Sequence, residues 1–201
     1  MPAEKYLLGL KTEEFVILAS QQSKIDLQDV IISTYSDKSV KLHNWKTFMK
    51  VVGDPADAYF YAKFIQNEIF KSEKDKIKFT PSESHDFVKQ KINFVLENGD
   101  YWQCDTLIGG YDEVSHKTWL SFLDYRGYAI TDKSVIVRNF PGLDAEHYLN
   151  SIYHPRMSFQ SAIDAIHTCL KKVSETCGYQ LPMFSLLVID KDGARQHEEY
   201  L

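Results

Sequence analysis

Three sets of residues in this chain could do chemistry by virtue of their type and position. They are the N-terminal Met1-Pro2, the pair His147 and His154, and the pair Cys169 and Cys177. The histidines lie seven residues apart in a segment with helical spacing, but Pro155 ends that segment and no third ligand has the spacing of a zinc site. Surface histidines are therefore the favoured interpretation, with a metal site as the alternative.

The two cysteines and the N-terminus likewise have an ordinary interpretation and a chemical one. The two cysteines lie eight residues apart around a predicted helix end, unlike the close pairs of metal or redox motifs. Removal of Met1 would expose the amine of Pro2, the group that proline-based tautomerases use, yet nothing else in the sequence marks a substrate pocket. Unpaired thiols and an ordinary terminus are favoured, while a redox pair and a proline-based enzyme stay open.

The composition is that of an ordinary globular protein. The chain has 201 residues, of which 44% are apolar, so it can bury a sizeable core and is predicted to form a single domain over residues 1–201. Its formal net charge is -5, and only four of its 23 basic residues are arginines. Nucleic acid is therefore an unfavoured partner, because phosphate and guanine contacts rely on arginine. Apolar runs such as residues 15–19 are far shorter than the roughly 18 residues of a membrane span, so no membrane contact is expected.

Cysteine usage and aromatic content add two expectations. No secretory signal is visible, and an odd number of cysteines, three, fits free thiols in a reducing compartment. The 12 Phe, 12 Tyr and 3 Trp residues are more aromatics than usual. Such a content serves either a large core or a contact surface.

Apolar periodicity divides the chain into groups of strands and helices. Strands are predicted at residues 6–10, 15–20, 30–33, 40–42 and 48–52, then at 104–109, 118–123 and 127–131, and finally at 183–189 and 194–198. Helices are predicted at residues 55–70, 81–98, 144–152 and 159–176, with a charged loop at 71–76. The clearest helix start is Thr80-Pro81-Ser82-Glu83, which has the pattern of a capping box.

The order of these groups predicts the architecture. The strands at 15–20 and 183–189 are apolar on both faces and therefore need cover on both sides. Strands come in groups and helices in pairs, whereas a doubly wound sheet would alternate them one by one. We predict an α+β fold, a four-layer αββα sandwich of two antiparallel sheets flanked by helix pairs.

Five segments spread over the chain have a recognisable order and spacing. They are Tyr6-Leu7-Leu8-Gly9-Leu10, Phe15-Val16-Ile17-Leu18-Ala19-Ser20, Val51-Val52-Gly53-Asp54-Pro55-Ala56-Asp57, Ile108-Gly109-Gly110-Tyr111-Asp112 and Ile189-Asp190-Lys191-Asp192-Gly193. Together they resemble β subunits of the 20S proteasome, and Gly110-Tyr111-Asp112 with Leu123-Asp124-Tyr125-Arg126-Gly127 is most similar to the fourth β position, β type 2. The resemblance implies the N-terminal nucleophile hydrolase fold.

The resemblance also implies where a catalytic site would lie. Active members of the family attack the substrate with an N-terminal Thr that is freed by cleavage of a Gly-Thr bond. None of the nine glycines here is followed by Thr, Ser or Cys. The family positions for the nucleophile, its carboxylate, its lysine and two later orienting residues match Lys5, Gln21, Lys38, Cys177 and Gln180. Since only the lysine keeps its type, the site is expected to be vestigial, with no catalytic residue, cofactor or metal.

The function implied by the resemblance is structural. The chain is expected to fill one place in the seven-membered β ring of the complex that degrades ubiquitin-marked proteins, in the cytoplasm and nucleus. Its neighbours would be the third and fifth β subunits, its own copy in the opposite ring, and α subunits. The alternatives are a free-standing enzyme on the same fold and an interaction domain outside the proteasome.

Overall fold

The structure is a computed structural model that describes most of the chain. It covers residues 6–21, 24–27, 30–33, 39–43, 46–74, 78–141, 144–178, 181 and 183–197. These residues form twelve strands and four helices, and we number each kind in chain order.

The strands and helices follow the predicted order of strands, two helices, strands, two helices and strands. The strands are β1 (Leu7–Lys11), β2 (Phe15–Gln21), β3 (Lys24–Leu27), β4 (Val30–Ser33), β5 (Ser39–His43), β6 (Thr47–Gly53), β7 (Cys104–Asp112), β8 (Lys117–Leu123), β9 (Ala129–Ile130), β10 (Val135–Arg138), β11 (Phe184–Asp190) and β12 (Gly193–His197). The helices are α1 (Pro55–Lys74), α2 (Pro81–Glu97), α3 (Ala145–Ile152) and α4 (Phe159–Cys177).

Most strands belong to two five-stranded antiparallel sheets. The first sheet has the order β10-β1-β2-β11-β12, and the second has the order β5-β6-β7-β8-β9. The two strands predicted to need cover on both faces, β2 and β11, are neighbours in the first sheet, with Leu18 opposite Leu187. Strands β3 and β4 form a separate two-stranded ribbon.

Alternation of side chains along the strands builds three apolar layers. In β2, Val16 and Leu18 belong to the core between the sheets, whereas Ile17 belongs to the core beneath α3 and α4. A third core lies between the second sheet and helices α1 and α2. The layers are therefore α3/α4, first sheet, second sheet and α1/α2, and the predicted αββα sandwich is confirmed.

The helix boundaries follow the predicted capping signals. At the start of α2, the hydroxyl of Thr80 accepts from the Glu83 amide at 3.2 Å, and the Glu83 carboxylate accepts from the Thr80 amide at 2.7 Å. These bonds lower the pKa of Glu83. At the other pair of helices, Ser158 caps the start of α4, and Gly178 ends it with a φ of +72°.

The structure differs from the predicted elements at four places, two that were predicted with the wrong extent and two that were not predicted. The charged loop expected at 71–76 is wrong over 71–74, because α1 continues there with Lys71 Nζ donating to Glu68 at 2.6 Å. The strand expected at 127–131 is shortened to β9, because the Asp124 carboxylate accepts from the amide of Tyr128 at 2.8 Å and holds a turn. Strands β3 and β10 were not predicted.

Candidate functional site

The expected catalytic site lies at the end of the sandwich where β2 ends and β11 begins. Of the five family positions, the structure describes two, while Lys5, Lys38 and Gln180 lie outside the described residues. Gln21 is the last residue of β2 and pairs with Phe184. Its backbone N–H donates to the backbone carbonyl of Tyr6 at 3.1 Å.

Cys177, the other described family position, is the last residue of α4. Its Sγ donates to the carbonyl of Pro141 at 3.3 Å, and its side chain packs against the core beneath α3 and α4. Neither Gln21 nor Cys177 offers a carboxylate, the group that would orient an amine base. At these two positions, Gln21 therefore ends strand β2 and Cys177 ends helix α4.

Three aromatic rings occupy the same end of the first sheet. Tyr6 precedes β1, Phe140 follows β10 and Phe184 begins β11. The ring centroids of Tyr6 and Phe140 are 5.0 Å apart, and those of Phe140 and Phe184 are 5.8 Å apart with nearly parallel planes. Tyr6 directly follows the expected nucleophile position, Lys5. Three aromatic rings in mutual contact therefore line this end of the first sheet.

A buried lysine joins the two sheets at the same end of the sandwich. Lys50 lies in β6 between Phe48 and Val52 of the inter-sheet face, and it is completely buried. Its Nζ donates to the hydroxyl of Ser185 in β11 at 2.6 Å. The Ser185 hydroxyl lies 3.4 Å from that of Ser20, its cross-strand partner in β2. We call Lys50, Ser20 and Ser185 the inter-sheet polar cluster.

The inter-sheet polar cluster has the composition of a lysine-activated nucleophile but not its accessibility. A lysine amine beside a serine hydroxyl can act as a general base for that hydroxyl. Here, however, Ser185 is 6% exposed and the other two residues are fully buried, so a peptide cannot reach the hydroxyl. The geometry instead suits a tie between the sheets, because this hydrogen bond joins a buried side chain of β6 to one of β11.

We expect a double-mutant cycle to reveal this tie. Ser185→Ala should lower the free energy of unfolding by about 1–3 kcal/mol, because it removes an acceptor from a buried amine. Lys50→Met keeps a long side chain while removing the amine, and in that background Ser185→Ala should cost much less. Urea unfolding of the four proteins gives the coupling energy.

The cycle has a matched control in Ser20→Ala. Within the described part of the chain its hydroxyl makes only the long 3.4 Å contact with Ser185, so its loss should be smaller than that of Ser185→Ala. Strictly additive losses for Lys50 and Ser185 would contradict the tie.

The other residues considered for chemistry are dispersed. Helix α3 ends at Ile152, so His154 lies beyond it, where its Nδ1 accepts from the Arg156 amide at 3.1 Å. Cys169 is buried, and burial raises the pKa of its thiol to about 11. Among the described residues, no group of three or more His, Cys, Asp or Glu side chains could hold a metal ion. No helix among them is long and apolar enough to cross a membrane.

A comparison with protein families decides the ancestry of this fold. Residues 5–189 match the family described as "Proteasome subunit". The chain belongs to the proteasome subunit family. The expected four-layer fold of the N-terminal nucleophile hydrolases is that of this family, and the resemblance inferred from the five segments is confirmed.

Relatives of the proteasome subunit family match the chain over nearly its whole length. Proteasome subunit beta type-2 of Caenorhabditis elegans is 24% identical over 197 residues, which are 98% of each chain. Proteasome subunit beta type-4 of Saccharomyces cerevisiae is 25% identical over 195 residues, 96% of this chain and 97% of the relative. Proteasome subunit beta type-2 of rice is 22% identical, over 95% of this chain and 88% of the relative. All three are β-type subunits by name, as the motif near Gly110 predicts.

The inter-sheet polar cluster was missed at the level of sequence. Lys50 lies in the run Phe48-Met49-Lys50-Val51-Val52, where alternation places it on the same face as two apolar residues. A single lysine on the apolar face of a strand was the available signal. Its partner Ser185 is 135 residues away and could be assigned only from the packing of the two sheets.

Proposed function

We propose that this chain is a non-catalytic β subunit of the 20S proteasome core particle. The observation that carries the proposal is the packing at the end of the sandwich where β2 ends, where three aromatic rings contact one another and the inter-sheet polar cluster is buried. The absence of Thr, Ser or Cys after any of the nine glycines supports it, because no processing event could expose a nucleophile there. The work of the subunit is then to fill one place in a ring whose active subunits cleave peptides.

The proposal extends to location and neighbours. We infer a place at the fourth β position, with β subunits of the third and fifth positions on either side, α subunits on one face and its own copy in the opposite ring. A heteromeric ring requires every place to be filled by a subunit with its own set of surfaces. The degradation of ubiquitin-marked proteins, in cytoplasm and nucleus, would belong to the assembled particle.

The helix layer α1/α2 supports the proposal through its exposed aromatic residues. Tyr59, Phe60 and Phe70 of α1 are 59%, 63% and 57% exposed, and Phe94 of α2 is 61% exposed. In the α3/α4 layer, Ile152 is the one exposed large apolar side chain among the described residues, and it is only 40% exposed. Exposed apolar patches of this kind mark protein contacts. We call Tyr59, Phe60 and Phe70 the α1 aromatic surface and propose that another subunit covers it.

Sedimentation of the native protein tests the proposed assembly. Tagged chain expressed in its own cell should sediment with peptidase activity in a particle of roughly 700 kDa, the mass of 28 subunits of about this size. A small species with its own hydrolase activity would support the free-standing enzyme instead. A small inactive species bound to unrelated proteins would support the interaction domain. Either result would overturn the proposal.

A further inference from the structure

A buried histidine lies between α2 and the second sheet, far in sequence from the site described above. His85 is 1% exposed, and its Nδ1 is 3.0 Å from the hydroxyl of Ser121 in β8. Its other ring nitrogen, Nε2, is buried and has no hydrogen-bond partner among the described residues. A histidine that is buried with one unpaired nitrogen is unusual, because buried polar atoms are normally satisfied.

The hydrogen bonds of Ser121 determine which form of His85 fits. Trp119 donates its Nε1 hydrogen to the Ser121 hydroxyl at 3.1 Å, and indole nitrogen is a donor only. Ser121 therefore receives one hydrogen and has its own to give, and Nδ1 of a neutral imidazole can accept it. The neutral ring with its hydrogen on Nε2 satisfies Ser121, Trp119 and Nδ1 together.

Protonation of the ring would break this arrangement. In an imidazolium both nitrogens are donors, so Nδ1 could no longer accept from Ser121, whose hydrogen would lose its acceptor. The positive charge would also lie in an apolar layer without a carboxylate bonded to the ring, and burial of an unpaired charge is costly. Protonation of His85 would therefore destabilise the contact between α2 and β8.

The packing around His85 leaves it little room to adjust. Pro81, one turn earlier in α2, lies so close to β7 that a Cβ added at Gly110 would be 2.7 Å from it. Thr47 of β6, which pairs with Gly110, and Ser84 of α2 also have buried hydroxyls that no other residue in the described part of the chain bonds. A charged His85, which is 1% exposed, could not reach solvent without movement of the helix.

The ionisable groups of the surrounding elements do not offset this burial. In the described parts of the adjoining helices they are Glu83, Asp86, Lys89, Lys91 and Glu97 of α2 and Asp57, Tyr59, Tyr61, Lys63, Glu68 and Lys71 of α1. On this side of the second sheet they are Cys104 and Asp112 of β7 and Lys117 of β8. Burial is the largest influence on the pKa of His85 and lowers this pKa. The charge of Asp86 raises the pKa, whereas the charge of Lys89 lowers it further. The net direction is a pKa below the ordinary value of about 6.5.

We propose that His85 makes the docking of α2 on the second sheet sensitive to acid, so that the helix packs fully only while the imidazole is neutral. The sign follows from linkage. The unfolded chain takes up the proton at its ordinary pKa, while the folded chain resists it, so unfolding binds a proton in this range. Stability is therefore fully present above about pH 6.5 and is lost as the pH falls toward the lower folded-state pKa.

Urea unfolding of the full chain between pH 7.5 and 5.0 tests the proposal. For each unit by which the folded-state pKa lies below the unfolded one, the unfolding constant of the wild type should rise about tenfold more than that of His85→Gln. His147→Gln, which removes an exposed histidine, should keep the wild-type loss. Equal pH dependence in the wild type and His85→Gln would overturn the proposal.

Nuclear magnetic resonance of the wild type gives a test that does not depend on whether the variant folds. The ring nitrogen signals of His85 should show the hydrogen on Nε2 at pH 7.5, and the ring should still be mainly neutral at about pH 6.5, the ordinary midpoint for histidine. Amide protection in α2 and β8 should fall together with its eventual protonation. A ring that takes up its proton near pH 6.5 while α2 keeps its protection would overturn the proposal.

Discussion

Substitution of alanine for Gly53 is expected to prevent stable folding. Gly53 ends β6 just before α1 and has a φ of +151°. A Cβ there would lie 2.3 Å from the carbonyl oxygen of Gln103 and 2.6 Å from Cα of Cys104, both backbone atoms. Because Gly53 pairs with Cys104 in the β6–β7 ladder, the clash can be relieved only by opening the sheet. We expect a loss of about 4 kcal/mol or more, measured by urea unfolding or as absence of a cooperative melt.

The matched control is Gly99→Ala, at the end of α2. Gly99 also has a positive φ, +77°, but no atom lies within 4 Å of an added Cβ. Its substitution should cost only about 1 kcal/mol, from backbone strain alone. If the two variants unfolded at the same urea concentration, the close approach of β6 and β7 would not be the reason for glycine at position 53.

Loss of the α1 aromatic surface is expected to abolish incorporation into the particle while leaving the subunit folded. Tyr59 and Phe70 are 11 residues apart, which is three helical turns and about 16 Å along one side of α1. Phe60 packs edge-on against Tyr59 at 5.6 Å. An aromatic residue at the centre of an interface contributes about 2 kcal/mol or more, so Tyr59→Ser, Phe60→Ser and Phe70→Ser together should reduce incorporation at least a hundredfold.

The control for this surface is Ile152→Ser, in the opposite helix layer. It removes a single exposed apolar side chain and should change incorporation only slightly. Competition between tagged variant and wild type, counted in purified particles, measures the effect. Since all four side chains are exposed, the isolated variants should unfold at nearly the same urea concentration as the wild type. Full incorporation of the triple variant would show that α1 is not a contact.

Local sequence signals predicted the helices and central strands well. The capping box at Thr80 and the glycine at 178 fixed helix ends because those signals act within one turn. Strand β10 was missed because it is a four-residue edge strand defined by pairing with β1, as in Leu8 opposite Val137. The first turn of the predicted charged loop is helical because Lys71 forms an ion pair with Glu68, three residues earlier. A count of charges alone does not reveal this local pair.

The candidate site shows a different limit. The residue after each glycine can be read from the sequence, so the absence of a Gly-Thr, Gly-Ser or Gly-Cys pair was evident without a structure. The contacts at the end of the sandwich where β2 ends could not be read in this way. The contacts of Lys50 with Ser185, and of Tyr6 with Phe140, join residues more than a hundred positions apart, and only the stacking of the two sheets and the closing of β1 on β10 bring them together.

Native mass spectrometry of labelled particles tests the central claim of a non-catalytic subunit most directly. Particles purified through a tag on this chain would first be treated with a covalent probe that modifies N-terminal threonine nucleophiles. We predict two copies of this chain in each particle, each with unchanged mass, alongside other β subunits that carry the probe. A probe adduct on this chain, or its recovery outside any such particle, would contradict the account.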